Sequence, residues 1–511
     1  MKIGNYVWLI GSAVQNENIK TVCLSNSPKI KYKFLDDNEG ISKNTNEAIK
    51  MATGDFIAFM DHDDCLPPFA LYEIIKTINE NPEVEFIYTD EDKIDEGQNR
   101  FEPHFKPDFS YQTLECHNYI THLVVVKRSL IEKIGLLDSR FDGAQDFDFV
   151  LRAVENTQNI VHISKVLYHW RAHKNSTAKI ADAKNYAYEA GKSVIEEHLK
   201  RIGKKGVVEN PGEVPGIYKI KFAVENNPKV SILIPNKDSI KLLKNCLKSI
   251  LKQTTYENYE ILIIENNSEK KQTFEYYKKI EKNPKIKVLV YPEKGFNYSK
   301  IINFGVKKAD GDYILQLNND TKLLTPDWLE LMIGYAQNKE IGAVGSRLYY
   351  PDKSIQHSGI AYGIAGIAGN LLVGLPFGKH GYFGREALTS NVSAVTGACL
   401  FSRREIYEEV GFMDEDLFKV AFNDVDFCLK ILEKGYNVVY NPYVELIHYE
   451  SKTRGYEDTP EKKNRFEKEK KAFQEKWKDL LEKNPDPYYN INLSRKDGNY
   501  KIKTNVENFQ N

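Results

Sequence analysis

Asp61-His62-Asp63-Asp64 follows directly on the apolar run Phe56 to Met60. Alternating carboxylates at a strand end suit a hard divalent cation bound together with a phosphate-bearing substrate. Mg²⁺ or Mn²⁺ are the natural ions, and such an ion would neutralise a leaving diphosphate as a Lewis acid. One acidic cluster alone reads equally as a solvated turn or a helix cap. Here the cluster has a counterpart: Asn318-Asn319-Asp320 closes the run Tyr313 to Leu317. Asp146 and Asp424 lie in mixed polar-aromatic runs that should begin helices. A carboxylate there can take a proton from a hydroxyl as general base, or merely cap the helix. His169 and His448 each end an apolar run, Ile163 to Tyr168 and Val444 to Ile447. A neutral imidazole can add a nitrogen ligand to a metal, although a lone histidine is more often structural.

These residues recur in one order because the chain repeats. Ala52-Thr53-Gly54-Asp55-Phe56-Ile57 returns as Ala309-Asp310-Gly311-Asp312-Tyr313-Ile314. The same offset relates Asn46 to Asn303, Asp61 to Asn318 and Asp63 to Asp320. A period this long means a duplicated domain. In the second copy, Val230 to Pro235 reads as a buried strand, Leu242 to Leu251 as a helix and Glu260 to Ile264 as another strand. Strand, helix and strand at these lengths imply a parallel sheet covered by helices, so the fold class is α/β. Ligands of open α/β sheets bind at the carboxyl ends of strands, which is where Asp320 stands. The first copy shows no counterpart of Val230 to Pro235 and its helix, and Trp8 to Val14 matches the second strand only. It is therefore expected to be truncated at its N-terminal side. Tyr119 to His122 and Thr396 to Leu400 take similar places in the two copies, each followed by a basic pair, and an acceptor-facing strand is expected there. The expected boundaries are 1–180 for the first domain, 181–228 for a helix and linker, 229–455 for the second domain and 456–511 for a C-terminal amphipathic helix and tail. Phe466, Phe473, Trp477 and Leu480 form that helix's apolar stripe, and the polar tail from Arg495 is expected to fray.

Composition narrows the function classes. Lys plus Arg is 71 and Asp plus Glu is 72, a balance that argues against a nucleic-acid binder. Six cysteines form no CxxC pair, which fits a reducing cytoplasm better than a disulfide or zinc framework. No signal peptide is visible. Ile360 to Phe377 is nearly free of charge, but its four glycines, Pro376 and Asn370 read as a buried Gly-rich loop and not as a membrane span.

The ordered set of motifs resembles family 2 of the glycosyltransferases, with the GT-A fold, in the tandem bacterial form of O-antigen, capsule and rhamnan assembly. The first copy carries the resemblance in Ala52 to Pro67, Thr89 to Lys93, Phe105 to Asp108, Gly143 to Asp148 and His169 to His173. The second carries it in Leu317 to Leu329, Gln356 to Gly359, Thr396 to Leu400, Asn423 to Cys428 and His448 to Gly455. Asp486 to Asn490 resembles the end of such proteins. The resemblance implies two tandem, mostly parallel, Rossmann-like domains and metal-dependent transfer of a sugar, with inversion, from a UDP- or dTDP-linked donor to a glycan or lipid-linked glycan. It implies metal ligands at Asp61, Asp63 and His169 in the first copy and at Asp320 and His448 in the second, with Asn318 in place of the first carboxylate. It implies catalytic bases at Asp146 and Asp424. The nucleotide would lie against Pro235, Asn236, Lys237, Glu265 and Asn267, with Asn303 and Asn318 completing the donor site. Glu265 stands where the family usually has Asp.

Two other readings compete. A glycan-binding or scaffolding pseudoenzyme is favoured by the short first copy and by Asn318, and opposed by retention of both base candidates. A nucleotidyltransferase would need a Gly-rich loop after the first strand, and Pro235-Asn236-Lys237-Asp238 lacks it. The basic amphipathic helix Glu461 to Lys483 has two readings: it packs against the protein, which is the favoured one, or it rests peripherally on the inner face of the plasma membrane.

Overall fold

A computed structural model of the protein describes residues 8–12, 29–172, 181–212, 214–450 and 459–504. Parts of two motifs, His173 and residues 451–458, lie outside the described residues. The chain divides into two units, Met1–Ile220 and Lys221–Asn511.

The second unit is built on β8 (Val230–Asn236), β9 (Tyr259–Glu265), β10 (Ile286–Val290), β11 (Tyr313–Leu317), β12 (Thr321–Leu323), β13 (Ile341–Tyr349), β14 (Ile355–His357), β17 (Ser390–Asn391), β18 (Cys399–Arg403) and β19 (Asn437–His448). Its ten-stranded sheet runs β10-β9-β8-β11-β18-β13-β19-β12, with β14 on β13 and β17 on β19. The first four strands are parallel. β18 is antiparallel to both neighbours. β9 is buried at every position, as a strand covered on both faces must be. Its crossovers are α4 (Ile240–Gln253), α5 (Lys271–Ile280) and α6 (Tyr298–Lys308). Leu243, Cys246, Leu247 and Ile250 form the buried stripe of α4 at helical spacing. Gly305 lets α6 lie directly on the sheet: a Cβ there would come within 2.5 Å of Ile264.

The charge-free segment is a short hairpin, β15 (Ile360–Tyr362) with β16 (Ala368–Asn370), and among the described residues no helix is long and apolar enough to cross a membrane. The C-terminal α8 (Pro460–Lys476), capped by Thr459, packs inward: Phe473 and Trp477 belong to the unit's core, and Phe466 meets the Phe422 ring. The tail does not fray as far as Thr504. Asp486 accepts from the Tyr362 N–H at 2.8 Å, Leu371 bridges Gly498, and Tyr500 is buried between Tyr382 and Tyr489. Aromatic packing overrides the polar composition there.

The first unit has β1 (Trp8–Ser12) parallel to β2 (Ile30–Phe34) as a separate pair, then α1 (Ile41–Lys50). A five-stranded sheet follows: β3 (Phe56–Phe59), β6 (Val124–Lys127), β4 (Phe86–Ile94) and β5 (Arg100–His104) in that order, with β7 (Ile160–Arg171) on β4. Only the β4–β7 pairing in that sheet is parallel. Parallel pairing is thus concentrated in the second unit. The helix α3 (Ala181–Arg201), expected between the domains, packs on α2 (Gln145–Val154) of the first unit: Arg201 bonds Asp148 and Glu155.

Candidate active site

In the second unit the site forms where β11 ends. Asn318 N–H donates to Ala398 O at 3.0 Å and Thr321 N–H to Asn318 O at 3.4 Å, a tight turn into β12. Thr321 pairs with His448 across β12 and β19. That register sets His448 Nε2 3.1 Å from Asp320 Oδ1 and 3.3 Å from Asn318 Nδ2. His448 Nδ1 lies 2.8 Å from Gln356 Oε1, and Gln356 Nε2 donates to Glu450 at 2.9 Å. Gln356 therefore takes the Nδ1 proton and leaves a lone pair at Nε2, the usual arrangement behind a metal-ligating histidine. Asn318 Nδ2 can donate to that lone pair, and Asp320 Oδ1 lies beside it. The donor set fits Mg²⁺ or Mn²⁺ with its remaining positions left to phosphate and water. Among the described residues no three His, Cys, Asp or Glu side chains could enclose an ion unaided, as expected where substrate supplies part of the shell.

Asp424 opens α7 (Asn423–Glu433) after Phe422, whose φ of 62° turns the chain. Its Oδ2 accepts from Gly397 N–H at 2.8 Å and its Oδ1 from Val425 N–H at 2.9 Å. Burial raises the carboxyl above the usual range, and these N–H groups partly restore the anion. A raised, buried carboxylate is suited to accept a proton near neutral pH. Tyr298 OH donates to Gly397 O at 3.0 Å. Its own hydroxyl is held protonated first by burial and then by nearby charge, with Asp424 and Asp320 both within electrostatic range. His357 supports the same loop: Nδ1 lies 2.5 Å from Asn370 Oδ1, and Nε2 is 3.4 Å from Thr396 N. Burial pushes its imidazole down to about 4, so it is neutral. No local pattern singles out Tyr298. His357 lay within a motif but without a role.

The strand-end residues hold one another. Asn319 Nδ2 donates to Asn236 Oδ1 at 2.6 Å, Asn236 Nδ2 to Tyr277 OH at 2.8 Å, and Tyr277 OH to Glu265 Oε2 at 2.6 Å. Glu265 also accepts from Ser268 N–H and Oγ–H, so its carboxylate closes the loop after β9. Its longer reach serves that closure. Asn267, at φ 58°, donates to Glu293 O at 2.9 Å. Pro235 is half-buried and Lys237 exposed, within 3.5 Å of Glu269. Asn303 is elsewhere. It lies on α6, where its amide exchanges hydrogen bonds with Met413 (2.9 and 3.1 Å) and donates to Glu415 at 2.8 Å. The strand expected to face an acceptor, β18, is interior to the sheet. Its basic end ties Arg404 N–H to Asp312 O at 2.9 Å, while the Thr396-Gly397 loop before it faces the site.

The first unit assembles a parallel set. Asp61 lies 3.8 Å from His122 Nε2, and its carboxyl is raised by burial. Asp63 is 40% exposed. His169 Nδ1 lies 2.5 Å from Asp92 Oδ1, leaving Nε2 as the ligand-capable nitrogen. Asp146 accepts from Asn118 Nδ2 at 2.9 Å, and burial raises it as it does Asp424. Asp64, not singled out in the sequence, is the structural member: Tyr168 OH and Arg171 N–H both donate to it.

The model of glycosyl transferase family 2 matches residues 14–135 and 231–411, more than half of the chain. The protein belongs to glycosyl transferase family 2, a family of α/β proteins, and it carries two copies of the domain. Among individual relatives it is 42% identical over 469 residues to an uncharacterised protein of Sinorhizobium fredii (91% of this chain, 51% of that one). It is 37% identical over 451 residues to the O-antigen biosynthesis protein RfbC of Myxococcus xanthus (88% of this chain, 34% of that one). The chain thus spans about half and about a third of those two relatives. A solved structure of GalNAc-T7 with UDP, GalNAc and Mn²⁺ superposes with a TM-score of 0.38 at 17% identity, covering 46% of this chain and 45% of that one.

Proposed function

We propose that the second unit transfers a sugar from a UDP- or dTDP-linked donor to a hydroxyl of a growing cell-surface polysaccharide, in one displacement with inversion. The observation that carries this reading is two held carboxylates: Asp424 bonded by backbone N–H groups and Asp320 at the end of β11, 3.1 Å from His448. Asp424 takes the acceptor proton as the hydroxyl attacks. Asp320 and His448 hold the divalent ion, which when bound offsets charge on the leaving diphosphate. Asn236, Asn319 and the Glu265-closed loop shape the nucleotide end, with Pro235, Lys237, Asn267 and Asn318 lining it. The relative named for O-antigen biosynthesis supports a glycan or lipid-linked glycan as acceptor. We place the reaction in the cytoplasm, in keeping with five free thiols among the described cysteines.

Titration of UDP, dTDP, GDP and CMP with Mn²⁺ into the intact chain and its Asp320→Ala variant tests the reading. One nucleotide should bind, and the variant should lose it. Equal binding with and without Mn²⁺ in both proteins would remove the metal role.

A second reading applies to the first unit, as a glycan-binding module. Asp61 and Asp63 are 57% and 40% exposed, and among the described residues no strand joins β2 or β1 to β3. Its expected metal set, Asp61, Asp63 and His169, and its base Asp146 would be active only if the titration shows a second site.

A further inference from the structure

The basic C-terminal helix packs against the protein, with Phe473 and Trp477 of its apolar stripe in the second unit's core. A different helix carries an unspent basic face. On α4, Lys241, Lys244, Lys248 and Lys252 follow one another at three- and four-residue steps, on the side opposite the buried stripe, and all four are exposed. Among the described residues no carboxylate pairs with any of them. Some exposed helical lysines elsewhere do sit within 4.0 Å of a carboxylate four residues away, as in Lys43–Glu39 and Lys271–Glu275.

The stripe does not serve the helix. Each neighbouring pair places like charges at the spacing where side chains meet, so they repel. Lys241 also lies in the first turn, where positive charge opposes the helix macrodipole. Nor does it follow from composition, because the whole chain is balanced at −1. Two apolar side chains accompany it: Leu251, 39% exposed on the same helix, and Phe274, 42% exposed on α5. The β8–α4–β9 and β9–α5–β10 crossovers run in one direction, so both helices cover the same face of the sheet. Tyr276 of α5 lies within electrostatic range of Cys246 of α4.

We propose that this face docks the protein on the surface of an anionic phospholipid bilayer. Four lysines along about 16 Å of helix make a line of compact point charges. Such charges suit a field of headgroups, whereas a specific acidic protein is more often met by arginine forks. Leu251 and Phe274 would reach the boundary between headgroup and acyl chain. The proposal does not rest on the transferase reading, and its test uses neither donor nor acceptor.

The intact protein is sedimented with vesicles of phosphatidylcholine alone or with roughly 30 mol % phosphatidylglycerol at about 0.1 M salt, where surface charges still act over about 10 Å. Wild type should partition to the anionic vesicles only, and high salt should release it. The Lys241→Gln/Lys244→Gln/Lys248→Gln/Lys252→Gln variant should bind at least tenfold more weakly, with an unchanged unfolding midpoint, since its sites are exposed. Leu251→Ser should weaken binding a few-fold. Neutralising Lys462, Lys463, Lys468 and Lys471 of α8 should leave binding unchanged. The proposal fails if wild type ignores anionic vesicles, if it binds neutral ones equally, or if the α8 variant and not the α4 variant loses binding.

Discussion

In the second unit β8 runs between β9 and β11, so the nucleotide-end loops and the turn at Asn318 belong to one sheet. In the first unit the β1–β2 pair and β3 are in separate sheets. Two glycines one repeat apart show the difference. A Cβ on Gly311 would come within 2.6 Å of the Ser231 backbone in β8, whereas Gly54 would meet only Phe56 O at 3.3 Å. The exposure of the metal candidates follows: Asp320 and His448 are 6% and 10% exposed, Asp61 and Asp63 57% and 40%. The same residue types therefore persist in both copies at different exposure, and the charges of the more covered pair act more strongly. The buried histidines differ as well. The first unit clamps His162 between Asp90 and Asp108, and His198 between Glu115 and Glu155, and both are raised despite burial. The second buries His357 neutral.

The sharpest division should appear in turnover. Asp424→Asn is expected to lower it by roughly 10²- to 10⁴-fold, the range for a lost general base, with donor binding retained. Asp146→Asn should leave it within about threefold. Equal losses would mean two working units, and a normal rate for Asp424→Asn would end the base assignment.

Metal-dependent nucleotide binding comes next. Asp320→Ala should weaken Mn²⁺-dependent binding by at least on the order of a hundredfold, and Gln356→Leu, which frees the His448 ring, by about tenfold. The Asp63→Ala change should have little effect in the same titration. If Asp63→Ala is the more damaging, the ranking of the two units is reversed.

Stability should respond to pH with opposite sign. His162 and His198 have raised folded values, so their contribution is complete below about 6.5 and is lost as pH rises through those values. His357 is depressed to about 4, so its contribution is present above about 6.5 and is lost as pH falls through 4. Hydrogen exchange on the intact chain should show the first unit weakening on the alkaline side, an effect that His162→Gln reduces. His357→Gln should flatten the second unit's acid-side loss. Identical profiles for both units would contradict the histidine accounting.

The smallest effect is expected from Tyr298→Phe, which removes one neutral hydrogen bond to the loop that positions Asp424. A fall in kcat of about fivefold with KM for the donor unchanged is expected. A change confined to KM would instead put Tyr298 in donor binding.

The duplicated α/β architecture, the two acidic turns and the late histidines were legible because each closes an apolar run, a pattern that strand-end geometry converts directly into position. Recurrence also relates Asn303 to Asn46. Asn46 makes the same paired bonds, to Leu137 at 2.8 and 2.9 Å, so the repeat preserved a brace between a helix and the segment before the base helix. The bonds of Glu265 to Ser268 and Tyr277 depend on residues that no local pattern links. Tyr298, His357 and Asn370 depend on contacts between distant segments, as does the packed tail.

The clasp between Asp486 and the Tyr362 N–H joins residues 124 positions apart in sequence. During synthesis the chain emerges N-terminal end first. The first unit can therefore settle early, while the β15–β16 hairpin waits for Asp486 and Gly498. His357 leans on Asn370 of that hairpin, so the loop that holds Asp424 is braced only after those residues have left the ribosome. Bracing of the second site is thereby tied to residues that emerge after Asp424 and His448.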